Sequence, residues 1–321
     1  MTDIRWFAPT PLGLLTVSRL EARGLTIASD GDEPARLAMA FGNATAADAW
    51  RFATRHHCPV VQFVWDLPPW RLGEGRYDPV WSIAGTLVPL PRLGRRYRQR
   101  AEFYSRLRYV AAHARAVWGA SAATAADVVA RFAVRCEPVP YCYDSDRFTP
   151  GDRPPANPAP LLSISRLVES KNHEAVIRAG HRLGMPVRII GRGPLRDHLE
   201  RLAADLGVEC SIATGWVTDE ELVAAYRQAA VVVCPSRFEG MGLTGLEAAG
   251  CGTPVVASDI PPHREFLGRV AHFFVLDDDG ALDRAIRAAL AAPPPTPEPL
   301  APYTIGAAAD RFFARFAQIL R

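Results

Sequence analysis

The chain is predicted to be an α/β protein built on doubly wound parallel sheets. From about residue 158 onward, β-branched runs alternate with amphipathic helical segments. Glycine-rich turns follow several predicted strands, and Thr218–Glu221 has the pattern of a helix capping box. The length of 321 residues is typical of two such domains.

In the second half, each element is justified by local pattern. The β-branched or apolar runs predict strands at 161–164, 186–191, 210–213, 231–234, 253–256 and 272–275. Apolar residues at helical spacing predict helices from Ser170, as the N-cap, to Leu183, over 195–202, from Thr218 to Ala230 and over 281–290. A short proline-led helix is predicted after Ser258.

The first half shows the same alternation of strands and helices, but its turn signals are weaker. Its predicted strands are Ile4–Ala8, Leu25–Ser29, Val60–Trp65 and Ala116–Gly119, and its predicted helices are Thr45–Arg55, Arg95–Ala114 and Thr124–Phe132. The domains are therefore predicted at 1–148 and 158–303, separated by a stiff proline-rich linker. A second proline-rich stretch precedes an amphipathic helix at 304–321, which is expected to cross back onto the first domain.

The amino-acid composition restricts the classes of protein to which the chain can belong. Hydrophobic content of 49%, charged content of 22% and the absence of a long apolar run are ordinary for a soluble globular chain. Asp3 lies in the first residues, which argues against a signal peptide. The six cysteines form no C-x-x-C pair, which favours reduced thiols in the cytoplasm. A net charge of +3 is too small to predict a nucleic-acid partner.

The segment Pro235–Ser258 is the most informative about function. It reads as a strand end, a glycine-rich loop, a helix and a further strand, with Glu239 and Glu247 eight residues apart. Open α/β sheets hold nucleotides at such loops, because backbone N–H groups at a helix start bind phosphate. A diphosphate could rest on the N–H groups of residues 242–244, with an acid on either side for sugar hydroxyls. The segment therefore predicts a nucleotide-sugar site.

Further blocks in sequence order carry a family resemblance. They are P-Y-C-Y-D-S-D-R-F (140–148), S-I-S-R-L-V-E-S-K-N (163–172), G-R-G-P (191–194), T-G-W-V (214–217), E-x7-E (239–247) and S-D-I-P-P-H-R-E (258–265). From about Arg115 to Leu290 the chain resembles the retaining glycosyltransferases of the GT-B fold, in particular glycosyltransferase family 4. The resemblance implies two Rossmann-like domains facing across a cleft, with the donor bound by the second domain.

The resemblance also implies residue roles. Arg166 and Lys171 match the basic pair that holds the donor diphosphate, and two fixed cations could do the work of a metal. Glu239 matches the acid near the transferred sugar, and Glu247 matches the acid that binds the ribose. The matching loop residues are Gly240, Met241, Gly242 and Leu243, followed by Thr244 on the helix, and those near the base are Gly191, Arg192, Trp216 and Val217. The Gly191 turn can equally be a plain turn with proline at the first helical position.

The first half departs from the family pattern. Pro9–Gly13 stands where many relatives carry a Gly-Gly loop, and Val64–Trp70 stands where many carry a histidine-rich signature. The sequence therefore leaves the acceptor open, as it does the nucleobase and the sugar.

Two other patterns have competing interpretations. Asp144-Ser145-Asp146 resembles a D-x-D metal motif, but its position in the interdomain connection favours an Asx-type turn. No His, Cys and carboxylate cluster has metal-ligand spacing, so no metal is expected. Aromatic residues interleave with arginines over Arg92–Tyr109, which predicts either a packed helix with a basic outer face or a patch for membrane headgroups or an anionic acceptor.

The resulting prediction is a cytoplasmic, metal-independent hexosyltransferase, peripheral at the inner membrane face if the basic patch binds lipid. It would move a hexose from a nucleoside-diphosphate sugar to a hydroxyl of a glycan or lipid-linked glycan, as in polysaccharide biosynthesis. Two alternatives stay open. One is a catalytically degenerate sugar-nucleotide-binding subunit, and the other is a nucleotide-sugar epimerase or a phosphorylase on the same fold.

Overall fold

A computed structural model describes residues 2–7, 11–68, 103–151, 158–215 and 217–321. The chain divides into two compact units, one of Met1–Tyr141 with Ile305–Arg321 and the other of Cys142–Thr304. Each unit contains a six-stranded sheet in which every pair of neighbouring strands is parallel. The predicted α/β class of doubly wound parallel sheets is confirmed.

The strands of the first unit are β1 (Thr2–Phe7), β2 (Ile27–Ala28), β3 (Ala35–Phe41), β4 (Val60–Val64), β5 (Ala116–Gly119) and β6 (Glu137–Pro138). Its helices are α1 (Pro11–Glu21), α2 (Ala46–His56), α3 (103–113 as described), α4 (Ala122–Phe132) and α11 (Ile305–Ile319). The strand order is β2-β1-β3-β4-β5-β6.

Both faces of this first sheet are covered by helices. On one face an aromatic cluster joins the strands to α11, with Phe312 lying 5.5 Å from Trp118 and 5.8 Å from Phe63 between ring centroids. On the other face, apolar side chains of α2, α3 and α4 pack with those of the strands. Helices on both faces explain why the strands carry buried residues in succession rather than in strict alternation.

The strands of the second unit are β7 (Leu161–Ile164), β8 (Val187–Ile190), β9 (Cys210–Ala213), β10 (Val231–Cys234), β11 (Val255–Ser258) and β12 (Ala271–Phe274). Its helices are α5 (His173–Leu183), α6 (Arg196–Asp205), α7 (Asp219–Gln228), α8 (Leu243–Gly250), α9 (Pro261–Leu267) and α10 (Asp279–Ala291). The strand order is β12-β11-β10-β7-β8-β9.

Two helix starts in this unit test the capping predictions. The capping box that opens α7 is confirmed, because Thr218 and Glu221 each bond the other's backbone N–H. The prediction that Ser170 caps α5 is wrong. Ser170 lies in the short 3-10 turn Glu169–Lys171, and α5 begins only after Asn172, whose left-handed φ of 53° redirects the chain. Asparagine tolerates this conformation better than most residues.

The six cysteines are all free thiols. Within the described ranges, no helix is both long enough and apolar enough to span a bilayer.

Candidate functional site

The predicted site residues lie at the switch point of the second sheet. From β7 the chain winds outward through β8 to β9, whereas β10, on the other side of β7, leads outward through β11 to β12. The region beyond the carboxyl ends of β7 and β10, here called the crevice, is where open α/β sheets bind ligands. Arg166 and Lys171 follow β7, and Glu239 and the start of α8 follow β10.

The central contact of this crevice is an ion pair between Lys171 and Glu239. Lys171 Nζ donates to Glu239 Oε1, and the two side chains are only 12% and 19% exposed. Ser236 Oγ donates to the same carboxylate oxygen over 2.7 Å. Oε1 is thus occupied, while Oε2 has no hydrogen-bond partner among the described residues. The carboxylate is held in a fixed orientation with one oxygen left for a ligand.

Opposing effects act on the Glu239 carboxyl. Burial alone would raise its pKa, but the charge of Lys171, the proximity of His263 and the hydrogen bonds from Lys171 and Ser236 together lower the pKa. Glu239 is therefore an anion at neutral pH, and Lys171 is partly neutralised by it. A diphosphate in the crevice would meet a cation that is already fixed in position.

Lys171 is the single lysine of the chain, and the other basic residues are 36 arginines. A compact ammonium on a flexible stem fits a partly buried contact with one carboxylate oxygen, whereas a guanidinium needs room for a planar group. The single lysine of this arginine-rich chain thus stands at a partly buried contact whose size suits an ammonium. This compositional signal was present in the sequence, but the prediction did not use it.

Backbone contacts tie the loops of the crevice together. The N–H of Arg237 donates to the carbonyl of Ser170 over 2.8 Å, which joins the loop after β10 to the loop that carries Lys171. Thr244 Oγ1 donates to the carbonyl of Ile164 over 3.2 Å, which holds the start of α8 against the end of β7. The loops that carry the charged groups are therefore positioned by the framework.

The N-terminus of α8 provides backbone donors in the same place. Gly242 is its N-cap residue, with a left-handed φ of 82°, and no side chain caps the helix. The first N–H groups of a helix have no partner within it, and the helix dipole gives this end a partial positive charge. The start of α8, at Leu243 and Thr244, is therefore suited to bind an anion.

Glu247 lies one turn into α8 and is held by a different partner. The hydroxyl of Tyr226, on α7, donates to Glu247 Oε2 over 2.6 Å. Burial, followed by the charge of Glu247, raises the pKa of Tyr226 well above its ordinary value, so the phenol keeps its proton and acts as the donor. Burial also raises the pKa of Glu247, while the hydrogen bond from Tyr226 acts in the opposite direction. Oε1 of Glu247 has no hydrogen-bond partner among the described residues.

The loop that carries Arg166 is supported by a buried histidine. His173 Nδ1 lies 3.1 Å from Ser163 Oγ, and its Nε2 lies 2.9 Å from Ser165 Oγ and 3.2 Å from the carbonyl oxygen of Arg166. Burial lowers the pKa of the His173 imidazole to about 4. The Arg166 side chain itself is exposed, and its guanidinium has no partner in the part of the chain that the structure describes.

The buried imidazole of His173 predicts a loss of stability in acid. Its folded-state pKa of about 4 is lower than the ordinary 6.5, so the unfolded chain binds more protons between these values. The contribution of the neutral imidazole to the free energy of unfolding is therefore complete above about pH 6.5 and is lost as the pH falls toward 4. We expect the titration of His173 to lower the free energy of unfolding by roughly 2 kcal/mol when the pH falls from 7 to 5.

Denaturant unfolding at both pH values would measure this loss. The comparison is between the wild type and His173→Gln, whose stability should fall less with pH by about that amount. His181→Gln, at an exposed position on α5, controls for removal of an imidazole as such. Equal pH dependence of the wild type and His173→Gln would contradict the prediction.

The Gly191 turn has an evident structural role. A Cβ at Gly191 would lie 1.8 Å from the carbonyl oxygen of Ser165, and one at Gly193 would lie 2.3 Å from that of Leu167. Glycine is therefore required for the close approach of the loops after β7 and β8. Arg192 Nε donates to the carbonyl of Thr214 over 2.7 Å. Whether these residues also contact a base stays a prediction, as it does for the half-buried Val217, and Trp216 lies outside the described residues.

The charge of Asp144 acts on Glu247, but the pattern Asp144-Ser145-Asp146 itself forms a turn. The N–H of Asp146 donates to Asp144 Oδ1 over 3.3 Å, which is the predicted Asx-type turn. Within the described ranges, no group of His, Cys, Asp and Glu could hold a metal ion. Of the basic stretch Arg92–Tyr109, residues 92–102 lie outside the described part of the chain, as do Pro9, Thr10 and the linker residues 152–157.

Several site residues were missed by the sequence analysis: Ser236, Tyr226, His173, Ser258 and His263. Ser236 lies in the segment Pro235–Ser258, and Ser258 and His263 lie in the block 258–265, but none of them was assigned a role. Tyr226 is at the end of a helix whose apolar spacing gave it the appearance of an ordinary core residue.

The known proteins that this chain is similar to are glycosyltransferases. Residues 146–304 match the family model of glycosyl transferases group 1. A GDP-mannose-dependent alpha-(1-6)-phosphatidylinositol monomannoside mannosyltransferase of Mycolicibacterium smegmatis is 36% identical over 148 residues, which are 38% of this chain and 37% of the relative. A D-inositol 3-phosphate glycosyltransferase of Mycobacteroides abscessus is 36% identical over 133 residues, 36% of this chain and 30% of the relative. These matches thus span well under half of the relatives' length.

Solved structures extend the likeness to both units. Sucrose-phosphate synthase from Thermosynechococcus elongatus aligns with a TM-score of 0.68 at 16% identity, over 100% of this chain and 96% of that one. Anabaena HepE, solved with UDP and glucose, aligns with a TM-score of 0.66 at 13% identity, over 100% and 97%. The protein thus has the two-domain α/β architecture of GT-B enzymes. Over residues 146–304 it is similar to the group 1 glycosyltransferases.

Proposed function

We propose that the protein is a retaining, metal-independent hexosyltransferase that uses a nucleoside-diphosphate sugar. The observation that carries this proposal is the fixed Lys171–Glu239 pair beside the uncapped N-terminus of α8, at the switch point of the sheet. This arrangement offers a cation and backbone donors to a diphosphate, and a carboxylate oxygen to a sugar.

Each group then has a defined role. Lys171, Arg166 and the N–H groups at the start of α8 stabilise the negative charge that develops on the departing diphosphate. Glu239 uses its second oxygen to orient the transferred sugar. Glu247, held by Tyr226, uses its second oxygen to bind the ribose hydroxyls.

The proposed reaction needs no side-chain nucleophile. The acceptor hydroxyl attacks from the face that the diphosphate leaves, and the leaving phosphate accepts the hydroxyl proton. This route retains the configuration of the sugar and leaves the carboxylate of Glu239 free for orientation. Because cations and helix N–H groups already stabilise the leaving group, we propose that a divalent metal is not required.

The relatives support the donor class without deciding the base. One matched enzyme is named for GDP-mannose, and one structural neighbour was solved with UDP and glucose. For the acceptor, we propose a hydroxyl of a glycan or lipid-linked glycan at a cytoplasmic or inner membrane surface. Support for a lipid-linked acceptor comes from the phosphatidylinositol mannoside named for the Mycolicibacterium enzyme.

A thermal-shift panel would test the donor site, because a ligand that binds only the folded state raises the melting temperature. The panel consists of UDP, GDP, ADP, UDP-glucose, GDP-mannose and ADP-glucose, each with EDTA and with magnesium. We expect one nucleoside series to raise the melting temperature equally in both conditions. A shift that requires magnesium would contradict the metal-free proposal, and no shift with any compound would contradict the donor class.

Product analysis separates the proposal from its alternatives. Donor hydrolysis or transfer by the wild-type chain would exclude a degenerate binding subunit, whereas binding without turnover across many acceptors would favour one. A phosphorylase would require inorganic phosphate and no nucleotide, and an epimerase would change the sugar while it stays on the nucleotide.

A further inference from the structure

A second histidine, His263 on α9, lies beside the crevice without an assigned role. Its side chain is 1% exposed, and its Nε2 has no hydrogen-bond partner among the described residues. Leaving a buried polar atom unpaired costs about 1–3 kcal/mol. An atom of this kind in a native structure calls for a functional explanation.

The hydrogen bonds of Ser258 determine which ring nitrogen of His263 carries the proton. Nδ1 lies 3.0 Å from the carbonyl oxygen of Ser258 and 3.1 Å from its Oγ. The hydroxyl proton of Ser258 is already donated to the carbonyl of Ser236, over 2.5 Å. Both Ser258 oxygens can therefore only accept from the ring, so Nδ1 is the donor. In the neutral imidazole, Nε2 then carries a free lone pair.

The edge of the ring that carries this lone pair is directed toward the loop of the crevice. A Cβ at Gly242 would lie 2.8 Å from Cδ2 and 3.1 Å from Nε2 of His263, so only glycine fits against the ring. Gly242 is the N-cap of α8, with a φ of 82°. The free acceptor thus lies directly beneath the turn that begins the anion-binding helix, out of contact with bulk water.

The ring is also close to the charged pair. The charges of Glu239 and Lys171 both act on His263, in opposite directions, and burial lowers the pKa of its imidazole. The ring is therefore neutral at pH 7, and it lies near enough to the Glu239 carboxylate, which we assign to the sugar, for the two groups to interact electrostatically. A hydrogen bond made there would be stronger than in water because no solvent competes.

We propose that His263 is a specificity-determining residue of the donor site, and that its Nε2 accepts a hydrogen bond from a hydroxyl of the transferred sugar. Glycine at positions 240 and 242 gives this turn more backbone freedom than any other residue would. This inference rests on the proposed function. It differs from the roles of Lys171 and Glu247, because it concerns the sugar and neither the diphosphate nor the ribose.

Two substitutions separate the nitrogens of the ring. In His263→Asn the amide nitrogen takes the place of Nδ1 and can still donate to Ser258, but nothing replaces Nε2. In His263→Gln the terminal group reaches the place of Nε2, and the donor at Nδ1 is lost. The two variants are therefore matched controls for each other.

The experiment measures the affinity of each variant for a nucleoside diphosphate and for the corresponding nucleotide sugar. Suitable pairs of ligands are UDP with UDP-glucose and GDP with GDP-mannose. We expect His263→Asn to bind the diphosphate as the wild type does and the sugar conjugate about three- to tenfold more weakly. His263→Gln should keep most of the affinity for the sugar conjugate. Equal weakening for both ligands, or no weakening for either, would overturn the inference.

Nuclear magnetic resonance of ¹⁵N-histidine in the wild type gives an independent readout that needs no variant. The free protein should show the Nδ1–H form of His263, and the Nε2 resonance should move on addition of the sugar conjugate but not of the diphosphate. An Nε2 resonance that responds identically to both ligands would overturn the inference. If the wild type binds no nucleotide at all, the proposed function fails, and this inference fails with it.

Discussion

Replacing Lys171 by methionine is expected to lower kcat/KM of sugar transfer by about 10²- to 10³-fold, the usual loss when one group that stabilises developing charge is removed. The ammonium is fixed by Glu239 before the donor arrives, so its contribution requires no rearrangement. Lys171→Arg is not expected to restore activity, because the guanidinium does not fit the partly buried contact. Steady-state kinetics with the donor found by thermal shift would measure both variants.

A matched control is available on α5, the helix that follows Lys171 in the chain. Arg182→Met removes a surface cation that pairs with Asp279 and Asp283. It should leave kcat/KM within about twofold of wild type, since such pairs contribute little and lie on the outer surface of α5. If Lys171→Met were as active as Arg182→Met, Lys171 would not act on the diphosphate.

Loss of Lys171 also has a consequence for stability. Glu239 would become a buried carboxylate without its counter-charge, which is more costly than losing the pair as a whole. The double variant Lys171→Met/Glu239→Gln should therefore be more stable than Lys171→Met alone, while remaining inactive. Denaturant unfolding would test this order, and the reverse order would show that the pair is not coupled.

Replacing Glu247 by alanine is expected to weaken nucleoside-diphosphate binding by about 10- to 100-fold, the usual effect of losing hydrogen bonds to a charged group. Tyr226→Phe should weaken it less, by about three- to tenfold, because the carboxylate remains but loses the donor that orients it. Calorimetric titration would measure both affinities. Glu220→Ala, an exposed acid on α7, is the matched control and should bind as the wild type does.

The ligand can be varied as well as the protein. Inorganic diphosphate lacks a ribose, so Glu247→Ala should bind it as the wild type does, whereas Lys171→Met should not. A nucleoside diphosphate without ribose hydroxyls should bind equally to the wild type and to Glu247→Ala. If Glu247→Ala weakened inorganic diphosphate as strongly as the nucleotide, Glu247 would not be a ribose ligand.

The second unit was predictable almost element by element because its strands are β-branched runs separated by strong turn signals. The first unit was less so, and the sequence analysis missed both β3 and α1. The segment A-R-L-A-M-A-F of β3 is rich in alanine, which has a low strand propensity. It is a strand because it pairs with β1 and β4 and is buried on both faces.

The sequence analysis missed the helix α1 for a related reason. Its sequence P-L-G-L-L-T-V-S-R-L-E contains a glycine and β-branched residues, which are poor helix formers. Its buried residues include Val17 and Leu20. It packs against α11, which is nearly 300 residues away in the sequence. Tertiary packing of this kind overrides local propensity and cannot be seen in a sequence window.

Sequence alone determined the α/β class and the order of the motif blocks, and it predicted the two acids and two cations of the site, because periodicity and motif spacing are local properties of the chain. Only the tertiary structure decided which groups meet. Lys171 and Glu239 are 68 residues apart, and Tyr226 and Glu247 are 21 apart. Parallel strands bring their carboxyl ends to one edge, so partners, tautomers and free acceptors are properties of the assembled sheet.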